Sequence, residues 1–325
     1  MIVGVDARHL TARRGVARYT RRMLAALARR AQVRALVPGR AAVKPVPGVE
    51  LVRTALPSRL FHGLAALAGW PTVDGALDGP DVTWLPAPAP AAVRGRYVLT
   101  VHDLSWLERP GDFTAYERAW HRAMRFERLL ERAAAVVCDA SAVAESLAAR
   151  FGVRAAVVEP GVDVRPAEPY PGRYVLYVGA LEPRKGLDVL AAAWARRPLP
   201  DAELLIAGEG RVRVEGARHL GHVDDEALHS LYAGALAVVL PSRLEGYGLT
   251  PREAAAHGTP SVVSDLPTLR LPGTMRVPPG DPDALADALA RLPAERERLA
   301  AELPAPRTWA EAAAELHAVL EEAAR

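Results

Sequence analysis

The 325-residue chain is predicted to be an α/β protein of two domains, each built on its own parallel sheet. Three observations predict it. Short runs rich in Val, Leu and Ile alternate with longer amphipathic stretches, the pattern of repeated βαβ units. The alternation occurs twice, and at about 150 residues per domain the length is that of two domains. Between the two series lies PGVDVRPAEPYPGR, residues 160–173, whose four prolines continue neither a helix nor a central strand. The domains are therefore expected over residues 1–165 and 172–305, with a terminal helix in 306–325.

In the first half, apolar runs predict strands at Ile2–Asp6, Val33–Val37, Val82–Leu85, Tyr97–Val101, Ala135–Cys138 and Ala155–Glu159. Amphipathic spacing predicts helices at Val16–Arg30, Leu60–Ala68, Tyr116–Ala133 and Ala142–Ala149. The second half opens on a strand at Tyr174–Val178 and continues through Glu203–Ala207, Ala237–Leu240 and Ser261–Val263. Its helices are expected near Leu187–Arg196, Asp225–Ala233, Arg252–His257 and Asp283–Leu292. The last helix, 308–324, follows a break at Pro304 and Pro306. It sets Trp309, Ala313, Leu316 and Leu320 on one face, so it should dock, back toward the first domain.

Composition places the chain among ordinary globular proteins, at 50% hydrophobic and 24% charged residues. The single cysteine, Cys138 in AVVCDAS, excludes a disulfide framework and reads as a small buried hydrophobe. The opening MIVGVDARHL lacks a signal-peptide pattern and no segment reaches 18 apolar residues, so a cytoplasmic location is expected. The net charge of +3 is uneven: residues 1–60 hold thirteen Lys or Arg against Asp6 and Glu50. Such a half suits an acidic acceptor or the anionic inner surface of a membrane, and it is also read as a solvated helix face. No nucleic-acid partner is expected.

Ligands of two-lobed α/β proteins sit where strand C-termini meet a crevice. The strand Tyr174–Val178 leads into GALEPRKGLDVL, with Arg184 and Lys185 just before a helix start. Cations there oppose the helix dipole, and a phosphate or diphosphate would offset them. Lys185 is one of two lysines against thirty-nine arginines, so a compact ammonium stands out at that place. The plainer reading pairs the loop with Glu182 or Asp188. After Ala237–Leu240 comes PSRLEGYGLTPREAAAHG, with Glu245 and Glu253 eight residues apart. Thr250-Pro251-Arg252-Glu253 reads as a capped helix start, which gives Glu253 a structural role beside any ligand. Glu245 precedes Gly246-Tyr247-Gly248, whose glycines allow a ligand close to the backbone.

The segments YVGALEPRKGLDVL, LLIAGEG, LGHVDDEALHSLY and VVLPSRLEGYGLTPREAAAHGTPSVVSD resemble the donor domain of family 4 glycosyltransferases over most of residues 174–300. The resemblance implies the GT-B architecture, two Rossmann-like α/β/α domains with a cleft between them. It also implies transfer with retention of the donor's anomeric configuration, without a metal ion. Glu245 and Glu253 match the ends of the family's Glu-x7-Glu motif. By the resemblance, Glu245 contacts the transferred hexose and Glu253 the ribose, while Arg184 and Lys185 hold the diphosphate of a nucleoside-diphosphate sugar.

GVDARHLTARRGVARYTRRML and LTVHDLSWLERPGDF are similar to the acceptor domain of mannosyltransferase-like members of that family. His102 follows the strand Tyr97–Val101 and is implied to touch the transferred sugar near the reaction centre. On the acceptor side Gly15, Arg18 and Tyr19 are the candidates, although Gly15 stands alone where many members carry adjacent glycines. For Arg18 an exposed helix face, and for Tyr19 core packing, are equally open. The other histidines singled out (His62, His121, His219, His222, His229, His257 and His317) read as surface or packing residues.

Asp281-Pro-Asp283 fits a metal-dependent Asp-x-Asp pattern formally, but Asp and Pro there suit a helix N-terminus. Without zinc spacing or a Gly-x-Gly-x-x-Gly after the first strand, no metal or cofactor is expected. The acceptor is expected to be a glycan, a lipid-linked group or a small molecule, and mannose is the first choice of sugar. Competing readings are a nucleotide-sugar epimerase and a non-catalytic sugar-nucleotide-binding or assembly protein.

Overall fold

The computed structural model describes residues 1–12 and 15–325. The chain divides into two compact units, Met1–Gly161 together with Thr308–Arg325, and Val162–Arg307.

The first unit runs β1 (Ile2–Asp6), α1 (Gly15–Leu27), β2 (Gln32–Pro38), β3 (Val49–Thr54), α2 (Ser58–Ala68), α3 (Val73–Ala76), β4 (Val82–Leu85) and β5 (Tyr97–Val101). It continues through α4 (Ser105–Glu108), α5 (Ala115–Ala123), α6 (Phe126–Arg132), β6 (Ala135–Cys138), α7 (Ser141–Phe151) and β7 (Ala155–Val157). The strands form one parallel sheet in the order β3-β2-β1-β4-β5-β6-β7. β4 and β5 are buried at every residue, which is why they read as largely apolar runs, broken only by Thr83 and Thr100. On one face, Met23, Leu24 and Leu27 of α1 join Ala312, Leu316 and Leu320 of the C-terminal helix in a single core. Trp84, fully buried, satisfies its indole N–H on Thr100 Oγ1 at 2.9 Å.

Two expectations are corrected here. β3 is absent from the predicted strands because VELVRT is half-exposed along the sheet edge and follows a Pro-Val-Pro segment. The expected helix over 116–133 is two helices, α5 and α6, broken at Arg125, whose φ of +48° is left-handed. The break buries both Met124 and Phe126, which one straight helix would place on different faces.

The second unit runs β8 (Tyr174–Val178), α8 (Leu187–Trp194), β9 (Glu203–Ala207), β10 (Arg218–Gly221), α9 (Asp225–Gly234) and β11 (Ala237–Leu240). α10 (Leu249–Ala255), β12 (Ser261–Ser264), β13 (Thr274–Val277) and α11 (Pro282–Ala301) complete it, and α12 (Trp309–Ala324) returns to the first unit. Its parallel sheet has the order β10-β9-β8-β11-β12-β13. In both sheets all strands run parallel and the order of strand addition reverses at one neighbouring pair, β1/β4 and β8/β11, so the loops leaving those strands are placed to hold a ligand.

β10 and β13 escaped sequence analysis because RHLG and TMRV are four-residue edge strands, partly polar. α11 runs beyond its expected end at Leu292 and through Pro293, since Leu289, Leu292 and Leu299 anchor both sides of the proline in the core. Asp281 caps α11 by accepting from the backbone N–H groups of Asp283 and Ala284 at 2.9 and 3.0 Å. The expected capping box of Thr250 and Glu253 does not form: α10 starts two residues earlier, on a left-handed Gly248 without a side-chain cap.

Candidate functional site

In the second unit, the loops after β8 and β11 are joined at backbone level. Gly186, left-handed at φ +68°, sits so close to Pro241 that a Cβ would lie 1.9 Å from its carbonyl oxygen. The Arg243 N–H donates to the Arg184 carbonyl at 2.8 Å. This junction carries Lys185 to Glu245, Nζ to Oε1 at 2.6 Å, with the Ser242 hydroxyl donating to the same oxygen at 2.7 Å. Both charged side chains are largely buried, at 13% and 8% exposure. Arg184 donates through Nε to Glu182 at 3.1 Å. Asp188 takes a bidentate pair from Arg243 at 2.7 and 2.6 Å, which holds its carboxyl below the usual range. The chain thus brings Lys185 and Glu245 together, an alliance the sequence reading did not foresee, and separates Asp188 from them.

Glu253 lies on the buried side of α10 and accepts from the Tyr232 hydroxyl at 2.8 Å. Tyr232 stacks on His257, whose Nε2 meets His229 Nδ1 at 2.8 Å. Burial, then the neighbouring His229, lowers the pKa of His257. Between the two glutamates, Gly246 leads to a buried Tyr247, over whose ring the Arg252 guanidinium lies at 3.6 Å. Arg252 also donates to the carbonyls of Tyr247, Gly248 (3.2 Å) and Thr268 (3.4 Å). Gly248 has φ +75°, and a Cβ there would meet Leu269 at 2.3 Å. Its absent side chain therefore serves the turn as well as any ligand approach.

In the first unit, His102 follows β5 and its Nδ1 meets Asp139 Oδ2 at 2.6 Å. The Tyr19 ring stands edge-on to it at 4.7 Å between centroids. Burial disfavours the charged imidazole, but the Asp139 carboxylate and its hydrogen bond, with Asp103 and the Pro86 carbonyl, outweigh it, and the His102 pKa is raised. Tyr19 is 2% exposed and also packs against Trp84 and Trp309. Gly15 opens α1 with open space around it, and Arg18 is half-buried.

Sequence reasoning missed Asp139 and a buried network at the end of β1. There Asp6, fully buried, pairs with the Arg8 guanidinium and lies 3.2 Å from His62 Nε2. Burial works against the Asp6 anion, but Arg8 and His62 hold its pKa far below the carboxylate range. The available signal was position: both acids stand at C-terminal ends of central strands. Cys138 is fully buried and its thiol is pushed up to about 11, chiefly by burial. Among the described residues, no three His, Cys, Asp or Glu side chains gather as a metal site, and no helix is long and apolar enough to cross a membrane.

Comparison with known proteins adds two family matches. Residues 172–295 match the family described as Glycosyl transferases group 1, and residues 13–165 the one described as Glycosyltransferase Family 4. The glycogen synthase of Mycobacterium tuberculosis is 42% identical over 106 residues, 28% of this chain and 26% of the relative. The O-antigen chain mannosyltransferase B of Escherichia coli is 34% identical over 132 residues, 35% of each chain. The phosphatidyl-myo-inositol mannosyltransferase of Mycobacterium leprae is 38% identical over 141 residues, 37% of each. The matched stretches thus span only 26–37% of these relatives' length. Among solved structures, sucrose-phosphate synthase from Thermosynechococcus elongatus superposes with a TM-score of 0.71 at 21% identity, covering 99% of this chain and 96% of that one. WaaG, a glycosyltransferase involved in lipopolysaccharide biosynthesis, gives 0.68 at 16% identity, covering 100% and 98%. These structures share the fold, which is GT-B, with its two Rossmann-like α/β domains. Matched in both halves by these families, the chain belongs to the family 4 glycosyltransferases.

Proposed function

We propose that the chain is a retaining glycosyltransferase that moves a hexose, with mannose the first choice, from a nucleoside-diphosphate sugar to a glycan, lipid-linked or small-molecule acceptor. The observation that carries this reading is the buried Lys185–Glu245 pair on the loops after β8 and β11, beside Arg184, at the switch point of the second sheet. Lys185 and Arg184 are assigned to the diphosphate, Glu245 with the Gly246-Tyr247-Gly248 turn to the hexose, and Glu253 to the ribose. His102 is assigned a hydrogen bond to a sugar hydroxyl, and Gly15 and Arg18 the acceptor side. Tyr19 supports His102 from the core rather than lining a pocket, in keeping with its burial. The mannosyltransferases among the relatives support the sugar; the glycogen synthase shows that the family match alone does not select it.

In this reading the acceptor hydroxyl attacks the anomeric carbon from the face of the departing diphosphate, whose oxygen takes the proton. Negative charge grows on that oxygen in the transition state, where Lys185 and Arg184 are worth about 3–4 kcal/mol each by analogy with other oxyanion donors. No cofactor beyond the donor sugar is invoked. Calorimetric titration with GDP, UDP, dTDP and ADP, with Lys185→Ala in parallel, tests the donor site. One nucleotide should bind in preference and lose its affinity in the variant; binding by none of the four would overturn the reading.

A peripheral membrane contact is proposed for the first unit. From Leu60 to Val73 the chain has no Lys, Arg, Asp or Glu, and it exposes Leu60, Leu67 (86%) and Trp70 (60%) beside the basic N-terminal stretch. Co-sedimentation with vesicles of phosphatidylcholine alone or with phosphatidylglycerol checks it. Binding only to the anionic vesicles, weakened by Trp70→Ser, is expected; equal absence from both would remove the proposal.

A further inference from the structure

We propose that Asp139 is a positioning residue for His102: its carboxylate holds the Nδ1 proton, so that the ring, when it gives up its other proton, frees the lone pair on Nε2 to accept a hydrogen bond from a sugar hydroxyl. The inference rests on the transferase reading above and names a residue that neither the motifs nor the resemblance brought forward.

The sheet itself builds the dyad. β5 and β6 are parallel neighbours with Val101 opposite Cys138, so the next residue of each strand, His102 and Asp139, leaves the same edge side by side. The result is the 2.6 Å contact between side chains thirty-seven residues apart in sequence. A carboxylate only accepts, so Nδ1 must carry the hydrogen. The Tyr19 ring from α1 packs edge-on against the imidazole at 4.7 Å between centroids.

Two atoms of this dyad make no hydrogen bond although they are buried, His102 Nε2 and Asp139 Oδ1. Buried polar atoms are normally bonded, and leaving one unmade costs about 1–3 kcal/mol. A dyad serving packing alone gains nothing from that cost, whereas a ligand hydroxyl donating to Nε2 removes it. The groups facing the ring are Asp139 after β6, Asp103 beside it in the chain, the Pro86 carbonyl, His9 from the turn after β1 and the Tyr19 ring of α1. Of these, Asp139 is the charge in direct contact, so it sets both tautomer and titration.

The test uses the full-length protein with Asp139→Asn and Asp139→Ala. Release of GDP from GDP-mannose, with water as acceptor, is followed against pH, and the His102 ring is followed by nitrogen-15 NMR. The wild-type ring should show a single Nδ1–H tautomer. Asp139→Asn should populate the other tautomer, lower the His102 titration and reduce kcat some 10- to 100-fold with KM within twofold. The acid limb of kcat should move down with it. Unchanged tautomer and titration in Asp139→Asn would overturn the positioning role even if the protein turned over no GDP-mannose. Altered ring chemistry with an unchanged kcat profile in an active enzyme would confine the dyad to structure. Failure of wild-type protein to bind any nucleotide would instead count against the transferase reading.

Discussion

Lys185 and Glu245 stand sixty residues apart in the chain and 2.6 Å apart in space, and neither is positioned without the other's loop. The ammonium neutralises a carboxylate that is 8% exposed, and the Ser242 hydroxyl completes the same oxygen's bonding. Removing one partner leaves the other charge in a site where water compensates poorly. Lys185→Ala should therefore lower stability by about 2–3 kcal/mol, below the fully buried range because both groups keep some solvent contact. It should also remove nucleotide binding. Glu245→Gln keeps an acceptor for Lys185 and Ser242, so its loss of stability should be smaller, while hexose transfer still falls at least tenfold. Urea unfolding and donor titration on the two variants separate these effects.

Tyr232 and Glu253 give a second test of ligand role against fold role. The hydroxyl of Tyr232 is buried and donates to Glu253 Oε2 at 2.8 Å, so Tyr232→Phe removes one charge-assisted bond without opening a cavity. The variant should be less stable by about 1.5–3 kcal/mol. If Glu253 holds the ribose, the variant should also lose more affinity for a nucleoside diphosphate than for its 2′,3′-dideoxy analogue. Equal losses for both would assign Glu253 to the fold alone.

The residues themselves explain how much was legible beforehand. Central strands such as Val82–Leu85 and Tyr97–Val101 are buried on both faces, so burial had to write them as apolar runs. Edge strands such as Arg218–Gly221 need no such run, and they were missed. Lys185 and Glu245 were legible one at a time, through rarity and through the glycines beside Glu245, but not as a pair. Their contact depends on Gly186 passing under Pro241, which no local spacing encodes. Asp139 was hidden in an apolar run beside Cys138, because the register between β5 and β6 that makes it a partner of His102 is a long-range property. The capping role read into Glu253 failed for the opposite reason: a sound local motif was overridden when Gly248 started the helix and Tyr232 claimed the carboxylate.

Two glycines at helix starts give contrasting expectations. Gly186 combines a left-handed φ with a backbone oxygen 1.9 Å from any Cβ, so Gly186→Ala must move the whole junction. Its cost should be about 3 kcal/mol or more, with loss of nucleotide binding because Lys185 is displaced. Gly15 opens α1 with nothing within 4 Å of a Cβ. Gly15→Ala should raise helix stability by up to about 1 kcal/mol. Thermal unfolding of the two variants decides the matter: destabilisation by Gly15→Ala of the size seen for Gly186→Ala would show that α1 begins differently from the geometry described.

The Asp6 network predicts how the first unit responds to acid. Asp6 has a folded-state pKa below its unfolded value of about 3.9, because Arg8 and His62 outweigh its burial. The unfolded chain therefore binds the proton first as pH falls, and the stabilisation present above about pH 4 is lost progressively below it. His9 has a lowered pKa through burial and then the Arg8 charge, so its contribution is present above the unfolded value near 6.5 and is lost as pH falls below that. The His9 loss therefore begins at a higher pH than the Asp6 loss. Asp6→Asn should cost about 3 kcal/mol at pH 7 by leaving the Arg8 guanidinium without its charge partner. The same variant should flatten the stability curve below pH 4 while keeping the slope between pH 7 and 5, where His9 of the unfolded chain takes up its proton. Urea midpoints measured from pH 7 to pH 2.5 on both proteins check this. A curve for Asp6→Asn that stays parallel to wild type below pH 4 would mean that Asp6 is not held ionised by the network.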